Sequence, residues 1–318
     1  MTLESEASEA AAAWGGRLVR LIRNRENAVF EMVLPPEAGV RRAALRLHRQ
    51  GYQDEAAIRS ELWWCHALAD AGIAVAAPVP DFQGALLHRL SGGRLASALT
   101  WMEGAPLGEA GRPFDAPRAT VAARYRALGR LLAALHGTTD GLTLPAGFQR
   151  LRWDVAGLVG EAPVWGRFWD HPAAQVEEAA TLQTARAYLR ERLTDHQAKG
   201  GDIGLIHADP LRENVFVQGD RLALIDFDDS GFGFRLYDLG VALRQNLSEP
   251  DYPAIRDALI EGYAEQRPAD PAMVEVMVLA RLCASVGWTM PRLAADDPTH
   301  RFAIGQAVDW ASRIIARG

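Results

Sequence analysis

The stretch 204–240 reads GLIHADPLRENVFVQGDRLALIDFDDSGFGFRLYDLG and contains two short apolar runs separated by a tight turn. The runs are 215–217 and 222–225, and Gly219-Asp220 lies between them. A Gly-Asp pair between β-branched or apolar runs is a strong signal for a two-residue hairpin turn. We therefore predict a loop, a β-hairpin and a second loop, in this order along the chain.

Four polar side chains lie where the predicted hairpin meets its two loops. His207, Asp209 and Asn214 precede the first strand, and Asp226 directly follows the second. Because a hairpin folds its ends back to one side, Asp209, Asn214 and Asp226 should converge. Their hard oxygen ligands suit Mg²⁺ and a phosphorylated ligand better than zinc. The alternative, an ordinary hairpin with polar ends, does not explain several carboxylates beside apolar strands, where unpaired charge is costly.

Two motifs in this stretch resemble a known family. The pattern His-x-Asp-x-x-x-x-Asn at 207–214, followed by Ile-Asp-Phe-x-Asp at 225–229, is similar to the aminoglycoside phosphotransferase and homoserine kinase-like branch of the protein-kinase-like fold. The resemblance continues through Tyr-Asp-Leu at 237–239. It implies a two-lobed α+β fold: an N-terminal antiparallel sheet with one main helix, then a larger, mainly helical lobe that carries the catalytic hairpin.

The resemblance also implies a role for each polar residue of the stretch. Asp209 would be the catalytic base for an acceptor hydroxyl, and Asn214 and Asp226 would hold Mg²⁺ against the phosphates of ATP. His207 would brace the catalytic loop, and Asp238 would accept hydrogen bonds from backbone N–H groups of that loop. A role for Asp228 or Asp229 at the metal or with a cationic substrate stays open.

The first hundred residues are predicted to form an antiparallel sheet. Residues 1–13 resemble a frayed or weakly helical tail, and the segments 18–22, 28–33 and 43–48 are predicted strands. The family places the turn near Glu26 and Asn27 over the phosphates. This turn lacks a Gly-x-Gly-x-x-Gly motif, so only backbone N–H groups of a non-glycine loop would contact phosphate there.

The third predicted strand contains the main departure from the family pattern. The family has a lysine that reaches the α- and β-phosphates, and the corresponding residue here is Arg46. An arginine can bind phosphate through two N–H groups, although its geometry differs from that of an ammonium group. Glu61, on a helix predicted over 54–71, would pair with Arg46. The alternatives are a solvent-facing strand arginine and a glutamate on a solvated helix face.

A second hairpin is predicted from 85–90 and 95–102, and the strands end at Trp101, Met102 and Glu103. The resemblance implies that the chain crosses between lobes here and that its backbone binds the adenine edge. We therefore predict a nucleotide-covering lobe over 1–103 and a catalytic, substrate-binding lobe over 104–318.

The second predicted lobe reads as mainly helical. Helices are expected at 116–136, where Gly137 should stop the first one, and at 175–193, 252–265, 271–288 and 299–317. His136 should pack or cap. The aromatic segment 145–172 is expected to be irregular and to form the substrate-side wall. Within it, Arg150, Arg152 and Asp154 are candidate contacts for a small zwitterion or acid, although ordinary surface ion pairing explains them equally well.

The composition limits the class of protein. With 49% hydrophobic and 23% charged residues among 318, the chain is globular. A net charge of −6 argues against nucleic-acid binding through a basic surface, and two cysteines do not build a disulfide framework. We see neither a secretory pattern at the N-terminus nor an apolar run near the length of a membrane helix, so we expect a cytoplasmic protein without a membrane partner. The oligomeric state is not determined.

Three functions are compatible with these motifs. The first is a Mg²⁺-dependent kinase that transfers the γ-phosphate of ATP to a hydroxyl of a small amino acid, amino alcohol or aminoglycoside-like molecule. The second is a bacterial protein Ser/Thr kinase of the stress-response type, although no Ala-Pro-Glu motif follows Asp226. The third is a non-catalytic nucleotide-binding pseudokinase, suggested by Arg46 and the missing glycine-rich loop. The joint presence of Asp209, Asn214 and Asp226 favours the first. The sequence does not decide between ATP and GTP.

Overall fold

The computed structural model describes residues 2–24 and 27–316 of the 318-residue chain. Its helices are α1 (Leu3–Ala13), α2 (Glu55–Asp70), α3 (Arg118–Asp140), α4 (Val155–Val159), α5 (Val176–Ala198), α6 (Leu236–Arg244), α7 (Tyr252–Ala264), α8 (Pro271–Thr289) and α9 (Thr299–Ile315). Its strands are β1 (Arg17–Asn24), β2 (Ala28–Val33), β3 (Arg42–Leu47), β4 (Pro78–Val79), β5 (His88–Arg89), β6 (Leu95–Thr100), β7 (Ala105–Pro106), β8 (Leu151–Trp153), β9 (Ile203–Ile206), β10 (Val215–Gln218), β11 (Arg221–Leu224) and β12 (Gly231–Phe234).

The strands form three sheets. The largest has the order β1-β2-β3-β6-β4, with β5 also paired to β6, and its neighbouring strands run antiparallel. The second has the order β11-β10-β7, and the third the order β8-β12-β9. An antiparallel sheet near the N-terminus followed by a run of long helices is the α+β organisation that the sequence predicts.

The chain divides into two compact units. The first contains Met1–Ala105, Gly141–Arg150 and Phe216–Asp228. The second contains Pro106–Asp140, Leu151–Val215 and Asp229–Gly318. The functional boundary after residue 103, with a nucleotide-covering lobe before it and a catalytic lobe after it, stays a prediction.

The N-terminal segment is a helix, which confirms the helical alternative for residues 1–13 and excludes the frayed one. The hydroxyl of Thr2 caps α1 by accepting a hydrogen bond from the N–H of Ser5 at 3.2 Å. Ala7, Ala10 and Ala11 form a stripe of small residues on one helix face, and all three are buried against the large sheet. Small side chains let the helix approach the sheet closely, so a weakly hydrophobic sequence still buries one face. The turn at Glu26 lies outside the described residues.

The first long helix matches its prediction. The side chain of Asp54 caps α2 by accepting from the N–H of Ala57 at 2.7 Å, and Gly72, with φ of +84°, follows the C-terminal end. Trp64 and Cys65 are buried on this helix and pack in the interior. Because α2 buries one face and caps its own start, Glu61 has a fixed position within it.

The predicted hairpin is confirmed as β10 and β11, with Gly219 in the turn at φ of +61°. Within the first unit, β11 is anchored by a bridge between Val75 and Leu224. The flanking strands β9 and β12 were not predicted. They pair antiparallel in the third sheet, and β12 also runs parallel to β8. The glycine-rich sequence of β12, Gly-Phe-Gly-Phe, lacks the β-branched residues that signal a strand, and pairing on both sides determines its conformation.

The segment 145–172 is less irregular than predicted. It contains β8, α4 and a 3-10 turn at Phe168–Asp170. Trp153, Trp165 and Phe168 are buried in it. These aromatic side chains supply a local core, so short elements form in a region whose glycine and proline content indicates a loop. Its predicted role as a substrate-side wall stays a prediction.

The predicted C-terminal helices are confirmed as α5, α7, α8 and α9, and one of them corrects an expectation. Pro271–Thr289 is long and apolar enough to cross a membrane by length and composition, contrary to the expectation that no run approaches that length. About 83% of its most apolar window is buried inside the protein, as in the core helix of a soluble fold. We interpret α8 as a core helix.

The expected stop of α3 at Gly137 is wrong, because the helix continues to Asp140. Glycine costs a helix interior only about 0.5–1 kcal/mol, and the buried residues His136 and Thr139 on either side offset that cost by packing. A second glycine in α3 has a different reason. A Cβ atom at Gly129 would lie 2.1 Å from the carbonyl oxygen of Leu259, so only glycine permits the observed approach of α7.

These two glycines give a matched pair of substitutions. We expect Gly129→Ala to lower the free energy of unfolding by about 1–3 kcal/mol, because its methyl group overlaps the backbone of α7. Gly137→Ala, where no atom lies within 4 Å of the added Cβ, should raise it by about 0.5–1 kcal/mol. Urea unfolding of both variants measures the difference. An unchanged or higher stability of Gly129→Ala would contradict the close helix packing.

Candidate active site

The first unit contains a buried ion pair at the predicted phosphate-binding position. Arg46 lies on β3, where it is opposite Val29 of β2 and Ser97 of β6, and its guanidinium donates a hydrogen bond to the carboxylate of Glu61 on α2. Arg46 is 4% exposed and Glu61 is 1% exposed, so neither faces solvent. The structure therefore excludes the solvent-facing alternatives for both residues.

Asp226 completes this group of charges at the end of β11. Its Oδ1 atom lies 4.0 Å from Nη1 of Arg46, and its side chain is 40% exposed. Its φ of +67° is in the left-handed region, which a residue other than glycine rarely adopts. Such a conformation costs about 1–3 kcal/mol and is found where the surrounding structure imposes it, often at functional sites.

The carboxylates around Arg46 keep it firmly charged. Burial lowers the pKa of Arg46, but the surrounding carboxylates outweigh burial and raise it, with Glu61 contributing most, then Asp228 and Asp226. A permanently charged guanidinium that is fixed by one carboxylate and lies near an exposed one is suited to binding phosphate oxygens.

Arg150, a candidate substrate contact, has a structural role instead. Its buried guanidinium donates to the carbonyl oxygens of Ala57 at 3.0 Å, Phe227 at 2.9 Å and Asp228 at 2.6 Å. It thereby fixes the chain just after Asp226. Arg152 and Asp154 form a surface ion pair at 2.9 Å, as the alternative of ordinary surface ion pairing predicts. Asp154 also caps α4.

The predicted adenine-binding segment lies after β6. The guanidinium of Arg42 stacks over the ring of Trp101 at 4.3 Å and binds the carboxylate of Glu103 at 2.8 Å. Met102 packs in an apolar cluster of the first unit. In the chain as described, the N–H of Met102 makes no hydrogen bond to another main-chain group. Its donor is therefore available to a ligand.

In the second unit, Asp238 holds the catalytic loop. Its carboxylate accepts hydrogen bonds from the N–H of His207 at 2.9 Å and of Ala208 at 2.7 Å, which confirms the predicted role. Ala208 has a φ of +65°. Apart from Asp226, no other non-glycine residue of 2–24 and 27–316 has a positive φ. The strained residue directly precedes Asp209, so the carboxylate of Asp238 fixes the direction in which the catalytic loop turns.

Two buried histidines support this loop. His136 shares a hydrogen bond with Asp238 at 3.0 Å and another with the hydroxyl of Tyr263 at 2.9 Å. Burial lowers the pKa of His136, although the nearby Asp238 acts in the opposite direction. Nδ1 of His207 accepts a hydrogen bond from the N–H of Asp209 at 3.2 Å. His207 therefore braces the loop, as the resemblance implies, and His136 packs against Asp238, consistent with the expectation that it packs or caps.

Both carboxylate oxygens of Asp209 are held in place. Asn214 Nδ2 donates to Oδ2 at 2.7 Å, and Arg281 Nη2 donates to Oδ1 at 2.6 Å. Asp209 and Asn214 are thus brought together as predicted. Asp226 belongs to the other unit, so its convergence with them stays a prediction.

Arg281 was not anticipated from the sequence. It lies on α8 with 4% of its surface exposed, donates a second hydrogen bond to the carbonyl of Ala208, and stacks over Trp165 at 4.5 Å. Burial lowers the pKa of Arg281, but neighbouring groups led by Asp209 outweigh it and raise the pKa. The available signal was a single arginine in a mainly apolar helix, since a charge that is buried there needs a partner.

The metal-ligating groups are sparse. No cluster of three or more His, Cys, Asp or Glu side chains able to hold a metal occurs among the residues that the structure describes. Mg²⁺ usually binds one or two carboxylates together with substrate phosphates and water, and not an all-protein cage. Asn214 directs its amide N–H groups at Asp209, which leaves its amide oxygen available as a ligand. The donors present therefore fit a nucleotide-bound Mg²⁺.

Comparison with known proteins gives a family and a fold. Residues 19–275 match the model of the phosphotransferase enzyme family. An uncharacterised protein of Deinococcus radiodurans is 30% identical over 296 residues, which are 87% of this chain and 81% of that protein. A homoserine kinase of Sinorhizobium medicae is 30% identical over 233 residues, which are 72% of this chain; the chain spans 65% of the length of that kinase.

A solved structure extends the comparison to the fold. The microcompartment-associated aminopropanol kinase superposes with a TM-score of 0.79 at 27% identity, covering 98% of this chain and 95% of that one. Together with the sheet and helix content, this similarity confirms the predicted protein-kinase-like α+β fold.

One prediction concerns His48, which lies next to Arg46 in the first unit and whose Nε2 is 3.0 Å from the hydroxyl of Ser97. Burial, and then the charges of Arg46 and two other arginines, lower the pKa of His48 well below 6.5. In the unfolded chain the imidazole binds a proton near pH 6.5, whereas in the folded protein it stays neutral. The unfolded state therefore binds more protons below that pH.

We expect the free energy of unfolding to fall as the pH decreases below about 6.5, with this residue contributing up to about 1.4 kcal/mol per pH unit. His48→Gln, which still reaches Ser97, should show a shallower decline between about pH 6.5 and 5. The exposed His66, on α2, gives the control His66→Gln. Equal slopes for the two variants in urea unfolding at each pH would contradict the assignment.

Proposed function

This chain belongs to the phosphotransferase enzyme family, and we propose that it transfers the γ-phosphate of ATP to a hydroxyl of a small, amino-bearing molecule. The observation that carries the proposal is the position of backbone strain. Among the described residues, the two non-glycine residues with left-handed φ are Ala208, directly before Asp209, and Asp226. The strain therefore lies directly before the proposed base and at the proposed metal ligand, the two carboxylates that we propose for phosphoryl transfer.

Asp209 is the proposed catalytic base. The acceptor oxygen attacks the γ-phosphorus, the bond from that phosphorus to the β,γ-bridging oxygen breaks, and ADP leaves with the electron pair of that bond. The hydroxyl proton passes to the carboxylate of Asp209. Because Asn214 and Arg281 fix both oxygens, the carboxylate can orient the acceptor before transfer, and help of this type contributes about 10²–10⁴ in rate.

The other candidates bind the nucleotide. Asn214 and Asp226 are the proposed residues that hold Mg²⁺, which supplies charge neutralisation at the phosphates when bound. Arg46, positioned by Glu61, is proposed to bind the α- and β-phosphates in place of the family's lysine. For the adenine edge we propose the backbone at Trp101, Met102 and Glu103, supported by the unpaired N–H of Met102 in the described chain.

The similar proteins favour a small acceptor over a protein substrate. The homoserine kinase and the aminopropanol kinase are both named for acceptors with an amino group and a hydroxyl. We propose an amino acid or amino alcohol as the acceptor class, and a soluble enzyme of the cytoplasm. A protein Ser/Thr kinase and a pseudokinase are not favoured by any observation in the structure.

The two carboxylates should respond differently to substitution. Asp209→Ala should abolish phosphate transfer and leave the affinity for Mg²⁺-ATP nearly unchanged, because this residue acts on the acceptor. Asp226→Ala should also weaken nucleotide binding. ATP at about 100 times its dissociation constant stabilises a protein by about 2.7 kcal/mol, so the thermal shift with ATP, with and without Mg²⁺, measures this difference.

Two outcomes would overturn these roles. Near wild-type turnover in Asp209→Ala would remove it as the base, and an undiminished Mg²⁺-dependent thermal shift in Asp226→Ala would remove that residue from the metal site. The same shift measured with GTP identifies the preferred nucleotide.

Arg281 is proposed as a positioning residue for Asp209. Arg281→Lys keeps a positive charge, but its shorter ammonium cannot reproduce both the bond to Asp209 and the bond to the carbonyl of Ala208. We expect kcat to fall by at least about tenfold in the lysine variant, and further in Arg281→Gln, because a misplaced catalytic group can cost about 10²-fold.

The thermal shift with Mg²⁺-ATP distinguishes a positioning role of Arg281 from a general loss of stability. Both variants should keep the wild-type thermal shift with Mg²⁺-ATP, since none of the groups that Arg281 contacts, at Asp209, Ala208 and Trp165, is proposed to bind the nucleotide. Parallel losses of kcat and of nucleotide binding would indicate a purely structural role instead.

A further inference from the structure

The last residue of α6 is an arginine without a partner. Arg244 is half-buried, its Nε atom is fully buried without a hydrogen bond, and across residues 2–24 and 27–316 its guanidinium has neither a hydrogen-bond acceptor nor an ion-pair partner. Other arginines of this unit with little exposure are paired: Arg212 binds Glu249 at 2.7 Å, and Arg281 binds Asp209 at 2.6 Å. The chain therefore satisfies such charges elsewhere and leaves this one free.

Two contacts place Arg244 beside the catalytic loop. The next residue, Gln245, accepts a hydrogen bond from the N–H of Arg212 at 2.9 Å and donates one to Glu213 at 2.9 Å, so the end of α6 is joined to the loop that contains Asp209. One turn earlier, a Cβ at Gly240 would lie 2.5 Å from the backbone of Met277, which precedes Arg281 by one turn of α8. Arg244 on α6 and Arg281 on α8 therefore each lie one helical turn beyond the point where the two helices approach closely at Gly240 and Met277.

The electrostatics agree with this placement. Burial, and then the positive charge of Arg281, lower the pKa of Arg244 to about 10, while Asp209 and Glu213 act in the opposite direction. An arginine in the last turn of a helix also interacts favourably with the helix dipole. That interaction is available at an exposed position, however, so it does not explain why the side chain is half-buried with its Nε–H unused.

We propose that Arg244 binds the carboxylate of the acceptor, so that the preferred substrates are hydroxylated amino acids and not the corresponding amino alcohols. This inference rests on the proposed function, because it takes Asp209 as the group that meets the acceptor hydroxyl. A guanidinium presents paired N–H donors that match a carboxylate, and an acceptor held at both ends has its hydroxyl fixed beside the base.

An anionic group at this position could also be the transferred phosphoryl group. The carboxylate is favoured because the end of α6 is joined to the loop of Asp209, which meets the acceptor, and because Arg46 already provides the proposed contact to the α- and β-phosphates. The two sources make different predictions: a phosphate contact would affect every acceptor alike, and a carboxylate contact only those that carry one.

Matched acceptors test this difference directly. L-Homoserine and 3-aminopropan-1-ol differ only by the carboxylate, as do L-serine and ethanolamine, and L-threonine and 1-aminopropan-2-ol. We expect the wild-type enzyme to have the higher kcat/KM for the carboxylate-bearing member of at least one pair. Arg244→Gln should reduce that kcat/KM by about 30-fold or more, mainly through KM, and leave the amino alcohol of the pair unaffected.

Two further variants control for charge and for the substitution itself. Arg244→Lys keeps the charge but not the paired donors, so it should recover part of the lost preference. Arg192→Gln removes an exposed arginine of α5 and should behave as the wild type. A binding test independent of turnover uses L-2-aminobutanoate, which has the carboxylate but no hydroxyl: it should raise the melting temperature of the wild type and not that of Arg244→Gln.

The outcomes separate this inference from the function on which it rests. A wild-type preference for the amino alcohols, or an equal loss for both members of each pair in Arg244→Gln, would overturn the carboxylate contact while the kinase assignment stands. A wild type that binds Mg²⁺-ATP but phosphorylates none of these acceptors, and is not stabilised by L-2-aminobutanoate, would overturn the inference as well. Absence of a thermal shift with any nucleotide would instead overturn the proposed function.

Discussion

The hydrogen bonds that Asp238 accepts are the constraint on which the loop containing the proposed base, Asp209, depends. Ala208 has a left-handed backbone that costs about 1–3 kcal/mol, and hydrogen bonds to a charged group contribute about 1.5–3 kcal/mol each. Because the carboxylate accepts from the N–H groups of both His207 and Ala208, it can offset that strain. His136 shares a further hydrogen bond with the same carboxylate from α3, so the buried carboxylate has hydrogen-bond partners on both of its oxygens.

A second theme is that each unit uses a buried arginine to fix one carboxylate: Arg46 fixes Glu61, and Arg281 fixes Asp209. Buried ion pairs are weak evidence for stability, because desolvation of both charges can exceed their attraction. Their benefit here is geometric. A carboxylate that is bound by an arginine on a rigid strand or helix keeps its direction. Phosphoryl transfer depends mainly on positioning and on preorganised charges.

The sequence predicted what is local and missed what depends on distant partners. The hairpin and the bracing Asp238 follow from a turn signal and from motif spacing, both contained within 204–240. Arg281 is 72 positions from Asp209, and its partner becomes evident only when α8 is packed against the loop. The burial of one face of α1 and the continuation of α3 past Gly137 were missed for a related reason, since packing overrode weak local propensity.

If Asp209 is the base, as proposed, selectivity between acceptors cannot come from the hydroxyl, because every alcohol, and water itself, offers it the same group. A site discriminates strongly when one of its buried polar groups is left unpaired by the wrong ligand, which can reach about 10⁴-fold. An acceptor that lacks the matching group leaves such a residue without its partner, so a charged residue near the proposed base disfavours unsuitable alcohols. An unpaired guanidinium such as that of Arg244 meets this requirement, whereas a second carboxylate would select cationic acceptors and would repel the base.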